Sequence, residues 1–155
     1  MIAPLSFDEP VLVGSRAPFS RTVAKWLVTQ LAGVNAAAQQ IAAVVLTAQS
    51  ASIATTAINT LELGAGLYAV TWYARITQAA TTSSSLTVSI TGIDGGVTST
   101  QSSAALTGNT TGTAGSGRFL VQIDAATTLR YATTYASAGA TVMRYALELR
   151  AERLP

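Results

Sequence analysis

The sequence predicts a mainly β protein, an antiparallel jelly-roll sandwich of about eight strands that follows an extended N-terminal arm and one helix. Three observations lead to this prediction. The 155 residues are enough for one domain with its own core and too few for two. Small residues that suit strands and turns dominate, with 29 Ala, 23 Thr and 14 Ser. Apolar and polar residues alternate in short runs after residue 43.

Residues 1–19 are predicted to form an extended arm. Three of the four prolines fall here, and proline neither continues a helix nor fits a central strand. Large apolar residues lie between these prolines, whereas disordered tails are poor in such residues. We therefore expect an arm that attaches to a partner chain, rather than a disordered tail, through Ile2, Leu5, Phe7, Val11, Leu12 and Phe19.

Residues 20–43 are predicted to form a helix. Ser20 is a suitable N-cap, and apolar residues then recur at alternating steps of four and three, at Ala24, Leu27, Leu31, Val34, Ala38, Ile41 and Val45. Gly33 weakens the middle, so packing against a sheet or a neighbouring subunit is favoured over a trimeric coiled-coil stalk. The partner-binding candidates here are Trp26, Leu27 and Leu31. The helix ends near residue 43, because Val44-Val45-Leu46 is typical of a strand.

Residues 44–155 are predicted to form the sandwich. The clearest strands are 66–77, 85–90, 119–123, 129–135 and 143–149, where every second residue is apolar, and weaker runs lie at 44–49, 53–62 and 97–106. Turn signals separate the strands at 63–66, 94–96, 108–109, 112–117, 124–126 and 138–139. Eight short antiparallel strands are the number that a jelly roll needs.

The composition argues against an enzyme. The chain has neither His nor Cys, so it lacks a Ser-His or Cys-His dyad, a zinc site of the usual kind and a disulfide. The seven carboxylates are spread singly along the chain, apart from Asp8-Glu9 in the arm, so the sequence does not predict a two-carboxylate hydrolase. Asp94-Gly95-Gly96 lacks the further ligands of a calcium loop, and no helix follows the glycines of 112–117 to bind phosphate. We expect no catalytic residues, no cofactor and no metal.

The charge pattern argues against nucleic acid and membrane partners. Nine basic and seven acidic residues give a net charge of +2, without a basic patch. Asp8 and Glu9 stand where a signal peptide would have a positive start, so we expect synthesis in a cytoplasm without a signal peptide. Residues 26–61 carry no charge, but polar residues interrupt them too often for a membrane span. Such a run favours burial against other chains, which predicts an oligomer.

Aromatic side chains raise the question of glycan binding. Most of them fall on the apolar registers of the predicted strands, which favours core or subunit contact. The set assigned to trimer contact or core is Tyr131, Tyr135, Met143 and Tyr145. Tyr73 is the exception, because it lies beside Arg75 on a polar register. A glycan receptor is therefore possible in principle, but no aromatic platform supports it.

The stretch from Val44 to Leu154 resembles structural proteins of tailed bacteriophages and prophages. The resemblance rests on several segments together: Leu46-Thr47-Ala48-Gln49, Gly66-Leu67-Tyr68, the run from Thr81 to Val88, the run from Ser103 to Thr111, and the run from Tyr131 to Ser137. It covers about 70% of the chain and excludes the first 43 residues. It implies a small jelly roll of the tumour-necrosis-factor-like kind that forms a homotrimer on a virion and has no catalytic residues.

This resemblance and the composition lead to one functional expectation. We expect a phage virion structural protein, most plainly a trimeric capsid decoration or cement protein that binds the major capsid protein through its N-terminal region. The alternative is a trimeric tail, fibre or baseplate component whose sandwich tip contacts the host surface. A secreted carbohydrate-binding module is a third class, but it would need a signal peptide and an exposed aromatic platform.

Overall fold

The computed structural model describes residues 39–59, 62–124 and 126–155. These residues form nine β-strands and no helix, which confirms the prediction of a mainly β protein. The predicted arm and residues 20–38 of the predicted helix lie outside the described residues. The strands are β1 (Gln39–Gln49), β2 (Ile53–Ala57), β3 (Gly66–Gln78), β4 (Ser83–Asp94), β5 (Val97–Ser102), β6 (Leu106–Thr107), β7 (Ala114–Ile123), β8 (Arg130–Ala138) and β9 (Arg144–Arg153).

The strands form two antiparallel sheets. The first sheet has the order β1-β9-β3-β7, and the second has the order β2-β8-β4-β5, with β6 also paired to β4. Strands that are adjacent in a sheet are mostly distant in sequence, so the chain crosses repeatedly between the two sheets. One tight hairpin is an exception: β4 and β5 are joined by Gly95 and Gly96, whose φ values of 58° and 72° suit the turn that matches strand twist.

Alternation along the strands produces the core. In β3, Tyr68, Val70, Trp72, Ala74 and Ile76 are buried, while Thr71, Tyr73 and Arg75 between them are exposed. The inward residues of β7 and β9 continue this apolar side, and Leu86, Val88 and Ile90 of β4 face it from the second sheet. Together they form one hydrophobic cluster whose apolar burial stabilises the fold.

The predicted helix of residues 20–43 is wrong at its C-terminal end. Residues 39–43 belong to β1, which pairs with β9 from Gln39↔Arg153 to Gln49↔Tyr145. Ile41 and Val45 continue the helical repeat in the sequence, but their β-branched side chains, like that of Val44, favour a strand where β9 offers a ladder. A seven-residue repeat in an uncharged run of small residues therefore does not separate a helix from a strand.

The predicted turn at 112–117 is also too long. Ala114 already belongs to β7, where Gly115 pairs with Ala74 and Gly117 pairs with Trp72. A Cβ at Gly117 would lie 2.7 Å from the Trp72 indole nitrogen, and one at Gly115 would lie 3.3 Å from the same ring. These glycines are therefore strand residues that make room for a large ring, although their clustering in the sequence resembles a loop.

Candidate interaction surfaces

The candidate attachment residues of the N-terminal region cannot be placed on any surface. Ile2, Leu5, Phe7, Val11, Leu12, Phe19, Trp26, Leu27 and Leu31 all lie outside the described residues. Their assignment to partner binding therefore stays a prediction. The surfaces that follow belong to the two sheets alone.

The four residues assigned to trimer contact or core lie inside the cluster or against it. Met143 and Tyr145 are fully buried, Tyr131 is 5% exposed, and Tyr135 is half-buried against the same cluster. The rings of Tyr135 and Tyr145 lie 6.1 Å apart in a tilted arrangement. Met143, Tyr145 and Tyr131 are therefore core residues of the single chain. Tyr135 keeps some exposed surface, and its contact with another subunit stays a prediction.

The Tyr145 hydroxyl also holds the connection between β1 and β2 in place through hydrogen bonds. Its hydroxyl donates a hydrogen bond to the Ala51 carbonyl at 2.9 Å, so Thr133 Oγ1, at 2.7 Å, donates to the Tyr145 oxygen. Thr133 Oγ1 accepts in turn from the Ile53 backbone N–H at 2.9 Å. Burial raises the pKa of Tyr145 above its ordinary value of 10.0, although the bond from Thr133 acts in the opposite direction. This network is structural, since every member is satisfied within the fold.

The outward side of the first sheet, which we call the mixed face, combines apolar, aromatic and charged side chains. Its rows follow the strand register. Val45, Glu148, Tyr73 and Ser116 form one row, and Ala43, Arg150, Thr71 and Arg118 form the next. Leu120, Leu67 and Arg75 lie on the same side in neighbouring rows. Tyr73 is therefore close to Arg75 along its own strand and diagonal to Arg118 and Arg150.

The mixed face holds most of the exposed apolar surface. Seven large apolar side chains are exposed among the described residues, and four of them, Val45, Leu67, Tyr73 and Leu120, lie on this face. Val45 is 68% exposed and Leu120 is 51% exposed. Such a concentration on one side of a small protein is typical of a surface that contacts another molecule.

The charges of the mixed face are only partly paired. Arg150 donates from Nε and Nη2 to Glu148 Oε1 at 2.9 and 2.6 Å. This is the one salt bridge within the described part of the chain, and its exposed position limits its contribution to about 0–1 kcal/mol. Arg75 and Arg118 have no carboxylate within salt-bridge distance among the same residues. The centre of the face therefore carries an excess of positive charge around Tyr73.

The outward side of the second sheet, which we call the hydroxyl face, is quite different. Ser85, Thr87, Ser89 and Thr91 project from β4, opposite small residues of β8 such as Ala136, Thr134 and Ala132. Cross-strand hydroxyl pairs join Ser89 to Ser102 at 2.8 Å and Thr91 to Thr100 at 3.0 Å. A shallow, open hollow of about 270 Å³ at one end is lined only by Ser and Ala of 83–85 and 136–138.

Neither face gathers groups typical of a reactive or metal-binding site. Within residues 39–59, 62–124 and 126–155, no three His, Cys, Asp or Glu side chains come together where they would hold a metal ion. In the same ranges, no helix is long and apolar enough to cross a membrane. The chemistry available on these surfaces is apolar contact, hydrogen bonding by hydroxyls, and ion pairing by arginine.

Apart from Tyr73 and Arg75, the residues of the mixed face were not predicted from the sequence. The signal was present at Leu67 and Leu120, which are large apolar residues on the register opposite to the buried one. Val45 was interpreted as part of a buried seam because a helix was expected there. An apolar residue on the outward register of a strand is the pattern that identifies such a surface.

Comparison with known proteins gives few matches. No protein-family model matches the sequence, and no curated protein is similar to it. Two solved structures of infectious bursal disease virus are similar in structure. A chain of the T13 viral particle superimposes on this chain with a TM-score of 0.45 and 16% sequence identity, and the match covers 74% of this chain and 32% of that chain. A chain of the Gt strain structure gives a TM-score of 0.42 and 16% sequence identity, and that match covers 77% of this chain and 38% of the other. The chain spans about a third of the matched chains.

Proposed function

We propose that this chain is a non-enzymatic structural protein of a virus particle, with a jelly-roll fold. The strand order supports the fold, because β1-β9-β3-β7 facing β2-β8-β4-β5 is the arrangement that two successive Greek keys produce. The resemblance of residues 44–154 to structural proteins of tailed phages supports a location on the virus particle. On this basis the protein is a homotrimeric decoration protein of the capsid.

The composition of the mixed face carries the proposal. Tyr and Arg are enriched among the residues that anchor protein interfaces, and here Tyr73 and Arg118 are exposed on the same face as the apolar side chain of Leu120, on a surface with an excess of positive charge. The occupant that fits is another virion protein with an acidic, partly apolar surface. A second copy of the same face is a poor fit, because the unpaired arginines would be brought together.

One observation favours the alternative of a tail or fibre component. The exposed Tyr73 ring lies beside Arg75, an arrangement that suits a host-surface sugar bearing a carboxylate. The two functions differ in copy number, since a decoration protein covers the capsid shell and a tail component is present in few copies. Quantitative mass spectrometry of purified particles distinguishes them.

The experiment for the mixed face uses the double variant Tyr73→Ala/Leu120→Ala. Truncating two anchor residues removes about 1–3 kcal/mol each. We therefore expect the dissociation constant for particles to rise at least tenfold, and the number of copies per particle to fall when the protein is supplied below saturation. Val97→Ala is the matched control, because Val97 is 67% exposed but lies outside the mixed face, and it is expected to incorporate like the natural chain.

The outcomes separate the parts of the proposal. If purified particles do not contain this protein, the virion assignment is overturned. Particles that contain the double variant at the natural level would leave that assignment in place and exclude the mixed face as the attachment surface. Circular dichroism of both variants verifies that the two sheets have formed.

A further inference from the structure

The four sheet edges are not equally protected against pairing with other strands. On β7, the Gln101 side-chain amide donates to the Leu120 carbonyl at 2.5 Å, and Arg118 projects from the strand. The second sheet ends in the five-residue β2 and in the six-residue β5, whose Thr100 and Ser102 hydroxyls are bonded back to β4. Short edges, charges and covering side chains are the usual means by which proteins prevent edge pairing.

Within the described residues, the edge strand β1 is less protected than the other three edges. The Gln49 side-chain amide donates to the Thr47 carbonyl at 3.0 Å near its C-terminal end, but no side-chain hydrogen bond among those residues covers the segment from Ala42 to Leu46. The strand is 11 residues long and contains no charged residue and no proline. Irregularities in its register lie only at its two ends, between Gln40 and Ala42 and between Leu46 and Gln49. The five residues from Ala42 to Leu46 pair regularly with β9, so alternate residues of this segment direct their N–H and C=O groups away from the sheet.

We propose that the free edge of β1 pairs with β1 of a second copy, antiparallel and across a twofold axis. Val44 lies at the centre of the regular segment, so the register that places Val44 opposite its counterpart uses all five residues. In this register each outward-directed backbone group meets another, because residues of the same parity are opposed. The absence of charge means that no like charges face each other when identical strands pair.

The same register accounts for the exposure of Val45. Ala43 and Val45 lie on the mixed face, and Val45 is 68% exposed in the single chain. In the proposed pair, Val45 stands directly opposite Ala43 of the partner subunit, so two Val and two Ala form a small apolar group on the outward side. The two four-stranded sheets become one eight-stranded sheet.

Twofold pairing has a distinctive consequence for assembly size. It makes dimers of single chains and joins trimers in pairs, so even-numbered species are expected. A ladder of five residues is short, so a single ladder holds two chains together only weakly. Trimers present three such edges each, and several ladders acting together would make an assembly of trimers more stable than one pair of chains. This inference does not depend on the virion assignment, because it concerns the purified chain.

The first test is Val45→Lys, measured by sedimentation velocity over a concentration series. Two lysines on diagonal positions across the ladder repel each other, and we expect the dissociation constant of the even-numbered species to rise at least tenfold. Ser116→Lys is the matched control, because Ser116 lies in the same row on the opposite edge strand and also adds one exposed lysine. It is expected to associate like the natural chain.

The second test is specific to the register. Ala43→Glu/Val45→Lys places a glutamate directly opposite a lysine of the partner subunit at two positions, so association is expected to return to the natural level or above it. Within one chain the new charges also face Arg150 and Glu148 favourably, so folding is preserved. The proposal is overturned if the natural chain forms no even-numbered species up to its solubility limit. Equal association of Val45→Lys and Ser116→Lys, or no recovery in the double variant, also overturns it.

Discussion

Trp72 shows how one large side chain determines the residues around it. Its ring stacks with Phe119 at a centroid distance of 6.3 Å and extends along β7 over Gly117 and Gly115. A Cβ at Gly117 would overlap the indole, whereas one at Gly115 would make a tight contact 3.3 Å from it. Gly117 is therefore required by packing and not by backbone conformation, since its φ is not positive.

We expect Gly117→Ala to lower the free energy of unfolding by about 1–3 kcal/mol, because its Cβ would lie 2.7 Å from the Trp72 indole nitrogen. Urea denaturation measures the change. Gly64→Ala is the control, since nothing lies within 4 Å of its Cβ position, and its effect is expected to stay within about 0.5 kcal/mol. Combining Gly117→Ala with Trp72→Phe should cost less than the sum of the single changes. Strict additivity would contradict the steric explanation.

Tyr145 makes the stability depend on pH in the alkaline range. Burial raises the pKa of Tyr145, and likewise that of Tyr131, above 10.0, so the unfolded chain loses these protons first as the pH rises. The contribution of these two hydroxyls to the free energy of unfolding is therefore fully present below pH 10.0, and it is lost as the pH rises through their pKa values in the folded state.

We expect Tyr145→Phe to reduce this alkaline loss of stability and to cost about 1–3 kcal/mol at neutral pH, because the Ala51 carbonyl loses its partner. Urea denaturation at a series of pH values on both sides of 10.0 measures both effects. The control is Tyr73→Phe, whose ring is 46% exposed. An alkaline slope that is the same in Tyr145→Phe and in the natural chain would show that this hydroxyl is not responsible.

At the scale of elements, alternation was sufficient to predict most of the sheets. The buried residues of β3, β4, β8 and β9 could be predicted because one side of each strand is apolar and the other is polar. Of β1, only residues 44–49 were predicted as a strand. Residues 39–43 were assigned to the helix, because both sides of β1 are apolar or small and its partner β9 is about a hundred residues away. The orientation of Leu120 and Val45 likewise depends on a register that only the folded sheet defines.

The arm and the sheets are expected to have separate roles. The described residues already contain two complete sheets and one core cluster, so deletion of residues 1–19 is not expected to remove any part of the fold described here. We expect the truncated chain to keep its oligomeric state and to lose incorporation into particles. Light scattering and copy number per particle measure the two properties. Full incorporation of the truncated chain would show that the arm is not the anchor, and it would leave the segment with Trp26, Leu27 and Leu31 and the mixed face as the candidate attachment surfaces.

At the scale of the whole molecule, charge is distributed unequally between the two sheets. The mixed face carries Arg75, Arg118, Glu148, Arg150 and Glu152. The central strands β4 and β8 of the second sheet contain two charged residues, Arg130 at the start of β8 and Asp94 at the end of β4, and Arg130 alone lies in the outward register of the hydroxyl face. The net charge of +2 could not predict this unequal distribution, because a sum over the chain does not say which charged residues share a face. Only the register shows which charges share a side, and so which face has the composition of an interface.

The position of β9 between β1 and β3 has a consequence for synthesis. The C-terminal strand of the described region joins the first strand of that region to the rest of its sheet, so it is synthesised after the strands that it connects. Until residues 144–153 are made, β1 lacks the partner that it has in the described sheet, and β3 pairs on one edge only, with β7. Incomplete chains that end before this point therefore expose the uncharged strand β1, and we expect them to aggregate more readily than the complete described region.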